Sequence, residues 1–417
     1  MEFGPVIKNP VLDINKLVLQ GTLLNQSVQN VEGDSTADQA TVDLLARKDP
    51  VIQEISVGMS GEELTQYTVS GTPPLSLPNS LGKPLKAWEV DVLPYQEGSG
   101  DPAPNNVRPI HGTDKLTITT AGKNLYSRED SVYNVPVYAQ DGTSASYPDV
   151  AVWWMPAKPN TNYTISCNHN EQIFYVRWIN CDSNKGFINR VGSSFTEVSL
   201  PITTTTPANC RWVQIAINQY PVGQIAQNDW EVMVVEGSTA TDYEPYNGSQ
   251  TVLTLPKTVY TGTIGSDGGE SRDGEIDLGT LNWIPATATG RTNSYMSPLS
   301  PKVPTSATVT PYNLCTQYKQ ITQVQWYNTS ETGITICGNG YGGNGAIGIS
   351  DPALANKGSD EIKAYLSGIK LVYKVANPTQ FPIPASTIPT PTGTATTWAT
   401  AEDGTVDSME VTYIGKA

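Results

Sequence analysis

Few side chains in this sequence could do chemistry. Two histidines, His111 and His169, are present among 417 residues. Neither has the spacing of a metal-binding pair or of a nucleophile–base couple. His111 follows a Pro/Asn-rich stretch and His169 sits between Asn168 and Asn170, so both read as surface or turn residues. The five cysteines, Cys167, Cys181, Cys210, Cys315 and Cys337, are odd in number and form no CxxC pair, so small buried apolar side chains are expected. A disulfide among Cys167, Cys181 and Cys210 is the alternative, disfavoured in a reducing compartment. The glycine-rich run Gly338–Gly345 lacks the strand–helix context and following lysine of a phosphate loop and reads as a hairpin loop. Forty acidic residues guarantee accidental carboxylate pairs, but none lies in an aromatic run that would raise its pKa for acid/base work. Asp267, Asp273 and Asp277 do not have the spacing of a calcium loop and read as solvated. The expectation is no catalytic residue, no metal site and no cofactor.

The positive signal is aromatic. Trp153, Trp154, Trp178, Trp212 and Tyr220 crowd into one stretch of predicted strands. Indoles on strands are usually core. On a concave face they stack on sugar rings instead, while nearby Asn and Asp side chains take the hydroxyls. Successive strand residues point to opposite faces, so at most one of Trp153 and Trp154 is core on a one-sided sheet. Trp153, Trp154, Trp178 and Trp212 are therefore the carbohydrate-binding candidates.

The elements that position these residues are strands. Charged residues are only 16%, with 36 Gly and 31 Pro, a composition of short strands and turns rather than long helices. Alternating apolar runs at 116–118, 163–165, 174–178, 212–217 and 230–234 predict an antiparallel β-sandwich of jelly-roll type over 105–250. Runs from Ile276 to Val375, with a short helix capped by Ser359 and ended by Gly368, predict a second sandwich over 275–376. Residues 71–104 read as a strand and linker, and 251–274 as strands and a linker with a flexible break at Gly265–Glu270. Residues 377–417 read as a Pro/Thr-rich linker and a last strand. Residues 1–70 carry one predicted helix, Thr36–Lys48, and no aromatic residue between Gly4 and Gln66. Ordering a backbone costs about 1–2 kcal/mol per residue, more than this segment's own side chains offset. It is expected to dock on other chains and to oligomerise.

The net charge of −15 and the absence of Lys/Arg clusters argue against nucleic acid. No run approaches the roughly 20 apolar residues of a membrane span, so no membrane insertion is expected. The first residues lack a secretory signal, which predicts folding or assembly in a cytoplasm.

Four stretches resemble known sequences. Leu93–Ile110 is similar to a linker of minor structural proteins of tailed bacteriophages that infect Gram-positive hosts. Gly122–Leu125 and Glu236–Tyr246 resemble the opening and close of the carbohydrate-binding-module-like jelly roll that follows that linker. Leu366–Pro378 resembles the end of the next module. The resemblance spans about residues 70–380 and implies a virion protein, assembled in the host cytoplasm, with other virion proteins as partners. It further implies a homo-oligomer, preferably a trimer, and contact with host-surface glycans at a tail tip, baseplate or fibre. A head fibre, collar or capsid decoration is the alternative, and a polysaccharide-degrading enzyme the third.

Overall fold

The period-2 alternation forms strands, but their partners lie far away in sequence. The computed structural model describes residues 64–148, 150–167, 174–191, 200–219, 231–286, 293–299, 313–322, 331–337 and 345–416. The expected helix Thr36–Lys48 and His169 lie outside them. The fold is mainly β, with antiparallel pairing in the registers given below and one short α-helix, Ser359–Leu366. Residues 66–414 make one unit.

The largest element is an 11-stranded sheet. Its strands run in the order Ser249–Val259, Thr113–Ala121, Thr392–Ala401, Leu75–Leu81, Thr405–Lys416, Ala87–Leu93, Gly262–Gly265, Gly268–Asp277, Lys370–Phe381 and Leu314–Cys315. Leu64–Gly71 pairs beside Thr405–Lys416. Leu77 sits opposite Ala395, and Val90 opposite Met409. The sheet curls on itself. Lys257 of the first strand donates through Nζ to Thr379 Oγ1 at 3.0 Å and lies over the Phe381 ring. One core, including Leu77, Val90, Ile118, Leu253, Ile264 and Val411, fills the curl.

This sheet differs from the expected series of modules and linkers. Segments 71–104 and 251–274, read as strands with linkers, and 377–417, read as a linker and a last strand, all contribute strands to it, as do residues 64–70 of the expected docking segment. Each is a short alternating run with too little apolar surface to fold alone, and the four together enclose a core. The break expected at Gly265–Glu270 is instead a tight hairpin turn, with Gly268 at φ 138 in a conformation that favours glycine. Gly358, not Ser359, caps the helix: its N–H donates to Glu361 Oε2 at 2.9 Å.

The two sandwich regions enter this sheet as insertions. Residues 122–248 leave Thr113–Ala121 and rejoin at Ser249–Val259, where Ser249 pairs with Thr120. Residues 278–369 leave Gly268–Asp277 and rejoin at Lys370–Phe381, where Asp277 pairs with Lys370. Adjacent ends make such insertions easy to accommodate.

The first insertion is a β-sandwich. A three-stranded sheet of Ile202–Thr205, Asn162–Cys167 and Val232–Glu236 faces a four-stranded sheet of Phe187–Val191, Phe174–Cys181, Trp212–Gln219 and Ala151–Pro156. Tyr163, Ile165, Trp178, Ile215 and Val234 meet in its core. Its opening and closing motifs meet at Asn124. That buried amide donates to Val232 O and Glu244 O at 3.1 and 3.0 Å, and its oxygen accepts from the Tyr126 and Val234 N–H groups at 3.0 and 3.1 Å. Gly122 N–H donates to Asn247 Oδ1 at 2.6 Å, and a Cβ at residue 122 would lie 2.4 Å from that oxygen.

The second insertion has its own four-stranded sheet, Ile284–Pro285, Ser294–Pro298, Ala346–Ser350 and Gly333–Cys337. Strands Gly333–Cys337 and Ala346–Ser350 flank the glycine-rich run and pair antiparallel. Its core takes Leu371, Tyr373 and Val375 from the central sheet as the other wall.

The Leu93–Ile110 linker is an ordered loop. Arg108 holds it, donating to Glu97 O at 2.8 Å, Gly98 O at 2.9 Å and Gln96 O at 3.1 Å, and also to Gly100 O. Gln96 Nε2 donates to Cys315 O at 2.9 Å, tying the loop to the second insertion.

Candidate functional site

Strand register decides where each tryptophan goes. In the four-stranded sheet of the first insertion, Trp153 pairs with Ile215 and Trp154 with Gln214. Alternation then turns Trp153 into the sandwich with Trp178, and Trp154 outward with Trp212.

Trp153 is 9% exposed and Trp178 4%. Trp153 Nε1 donates to Leu125 O at 2.8 Å, and its ring meets Tyr246 edge-on at 5.9 Å. Trp178 Nε1 donates to Asn180 Oδ1 at 3.0 Å, and its ring lies 5.9 Å from that of Tyr163. Both indoles are satisfied inside the core and offer a ligand no surface. Two of the four candidates are thus structural.

The outer face is only partly covered. Val137 and Val150 pack with Val152, Ile179, Cys181 and Ala216 over its middle. Gln214 fastens this cover, donating to Pro136 O at 2.8 Å and accepting from Tyr138 N–H at 3.2 Å. Trp154 and Trp212 remain half-buried beside it. Both faces of the sheet are therefore covered to different degrees, whereas the sequence argument for Trp153 and Trp154 assumed one.

Between the two outer rings lies Lys185, which the sequence reading did not single out. Its Nζ is 4.7 Å from the Trp212 ring centroid and 5.1 Å from that of Trp154, within cation–π range. The Asp182–Gly186 turn places it there. Asp182 Oδ1 accepts the Asn184 and Gly186 N–H groups at 2.9 and 2.8 Å, and Lys185 takes a left-handed φ of 60. Lys185 is exposed overall, and partial desolvation of its ammonium beside the rings pushes its pKa below the usual lysine value. The Asp-x-Asn-x-Gly pattern at 182–186 was the available signal: it marks a turn, and its tip falls beside the tryptophans.

A cleft of about 880 Å³ opens beside this group. The insertion contributes Asn184, Lys185, Arg211 and Trp212, and the central sheet contributes Glu402, Asp403 and Asp407. Tyr95, Glu97 and His111 line it as well. His111 lies in a short strand, stacks on Tyr95 at 5.8 Å and places Nε2 3.3 Å from Glu97 Oε2.

Reactive groups elsewhere are packed rather than presented. Cys181, Cys210 and Cys315 are buried free thiols, and burial pushes them up to about 12, 11 and 11, so they stay protonated. Of the three aspartates, Asp267 is exposed in the hairpin turn and Asp277 caps a 3₁₀ turn through Gly279 N–H at 2.7 Å. Asp273 is half-buried, with one carboxylate oxygen out of reach of water. One oxygen accepts from Thr261 N–H, the other has no partner, and desolvation pushes the carboxyl up to about 7. Among the described residues no group of three or more His, Cys, Asp and Glu is placed to hold a metal ion. No helix among them is long and apolar enough to cross a membrane.

No family model matches the chain, and no curated protein matches it. Solved structures it is similar to include the VP2 subviral particle of infectious bursal disease virus, at 8% identity over 85% of this chain and 81% of that one, with a TM-score of 0.15. Another is the T=1 particle derived from the same virus, at 7% identity over 85% and 78%, with a TM-score of 0.13. Likenesses this slight do not establish a shared fold.

Proposed function

We propose that the chain is a non-enzymatic structural component of a tailed-phage virion, at the tail tip, baseplate or fibre, that contributes to attachment through host-surface glycans. The observation that carries the attachment role is the outer face of the first insertion, where Trp212 lines a wide cleft with polar and charged side chains and Trp154 is half-buried on the same face, joined to Trp212 through Lys185. The virion role rests on the resemblance of Leu93–Ile110, Gly122–Leu125, Glu236–Tyr246 and Leu366–Pro378 to phage structural proteins. Those motifs act in the fold as loop and module closures, which accounts for their spacing without giving them a binding role. Single sugar sites are weak, so attachment would draw on many copies in a homo-oligomer, a trimer by preference, on one particle. The full chain, multimerised on beads, should adhere to Gram-positive wall polysaccharide, and labelled chain should map to the tail end of virions by cryo-electron microscopy. Location on the capsid would move the role to head decoration. Release of reducing ends from the polysaccharide, abolished by one carboxylate substitution, would make the chain an enzyme.

A further inference from the structure

We infer that the Trp154–Trp212 site takes a cationic, amine-bearing saccharide, and that the Lys185 ammonium occupies the position that the ligand's amine would take. The inference rests on the glycan-attachment reading and narrows its ligand class.

Three observations converge. First, two indole faces approach one ammonium, at 4.7 and 5.1 Å. Paired aromatic faces recognise ammonium groups through the negative potential over their rings, more strongly when water is excluded. A neutral sugar needs one open face for its C–H groups, and here the lysine lies over both rings. Second, the cleft that Trp212 and Lys185 line also takes Glu402, Asp403 and Asp407 from the central sheet together with Glu97, against Arg211. Glu402 is paired with Lys115 and Glu97 lies beside His111, which leaves Asp403 and Asp407 as the carboxylates open to a ligand. These carboxylates favour a cation and disfavour phosphate- or uronate-bearing polymers. Third, Lys185 is placed there by the Asp182–Gly186 turn. Its side chain is a flexible stem on an exposed hairpin, and desolvation of its charged end favours exchange with water. An incoming amine can therefore replace the lysine ammonium between the rings, while the lysine swings out to solvent.

The test uses the full chain with Lys185→Gly, since glycine is unstrained at a φ of 60, and Lys185→Asn as a second variant if the first misfolds. Tetramethylammonium chloride, glucosamine and N-acetylglucosamine are titrated separately against tryptophan fluorescence, with circular dichroism confirming the fold. The lysine-free variant should respond saturably to tetramethylammonium and glucosamine. Wild type should need about tenfold more of either, the equivalent of one cation–π contact. N-acetylglucosamine, whose amine is neutralised, should give no response in the same range. Adding Trp212→Ala should remove all responses. An equal response to glucosamine and N-acetylglucosamine, or none to either cation in a folded lysine-free variant, would overturn the inference. Adhesion of multimerised wild type to wall polysaccharide reads the attachment role separately, so it can survive failure of the cation preference.

Discussion

The two faces of one four-stranded sheet use the same residue type in opposite ways. On the inner face Trp153 and Trp178 are buried, each indole N–H satisfied by an oxygen within the module. On the outer face Trp154 and Trp212 stay half-buried, with a lysine ammonium over their rings and a cleft alongside. Trp153 and Trp154 are adjacent in sequence, so composition cannot separate them. What separates the pairs is how fully each face is covered: by a second sheet on one side, by one short cover on the other.

The largest expected effect lies on the inner face. Trp178→Ala should destabilise the protein by about 3–5 kcal/mol, because a large ring leaves a cavity and Asn180 loses a donor. Denaturant unfolding measures it, and a loss under 1 kcal/mol would break the comparison. The second effect is in the central sheet, where a half-buried carboxyl again serves structure. The folded pKa of Asp273, about 7, lies above its unfolded value near 3.8. The folded state therefore holds a proton that the unfolded chain has lost, and stability from this group falls as pH rises from about 4 to 7 and is flat above. The ceiling is about 4 kcal/mol. Asp273→Asn should remove that slope from the wild-type stability profile between those pH values, and an unchanged profile would refute the burial assignment. Third, Asn124→Ala should lose about 2–3 kcal/mol by leaving buried backbone groups of the two module ends unpaired. Thermal unfolding should show it without any change in ligand binding. The smallest stability effect is on the outer face: Trp212→Ala should lose only about 1 kcal/mol, for a half-exposed ring and one cation–π contact, yet abolish binding.

Much of this was legible in the sequence. The alternation at 163–165, 212–217 and 369–375 placed strands correctly, and Gly122–Leu125 with Glu236–Tyr246 marked the ends of one module. Hidden from it was the central sheet, whose strands Leu75–Leu81 and Thr392–Ala401 pair across some 300 intervening residues. Local periodicity gives a strand its faces but not its partner, so the strand residues 377–381 and 392–394 read as part of the linker that 382–391 do form. The same limit applies to the site. Alternation split Trp153 from Trp154 at once, but the pairing of Trp154 with Trp212 depends on register, and Lys185 joins them only through a hairpin tip. Arg108 was hidden too, since the Gly/Pro-rich loop it organises looks unstructured by composition.

The most direct test of the account is a paired measurement on full-length Trp154→Ala/Trp212→Ala and wild type, both multimerised, against Gram-positive wall polysaccharide. The account predicts that the double variant keeps a wild-type circular dichroism spectrum, melts within a few degrees of wild type, and loses adhesion. Adhesion retained by a folded double variant would contradict it and move the attachment surface away from this face.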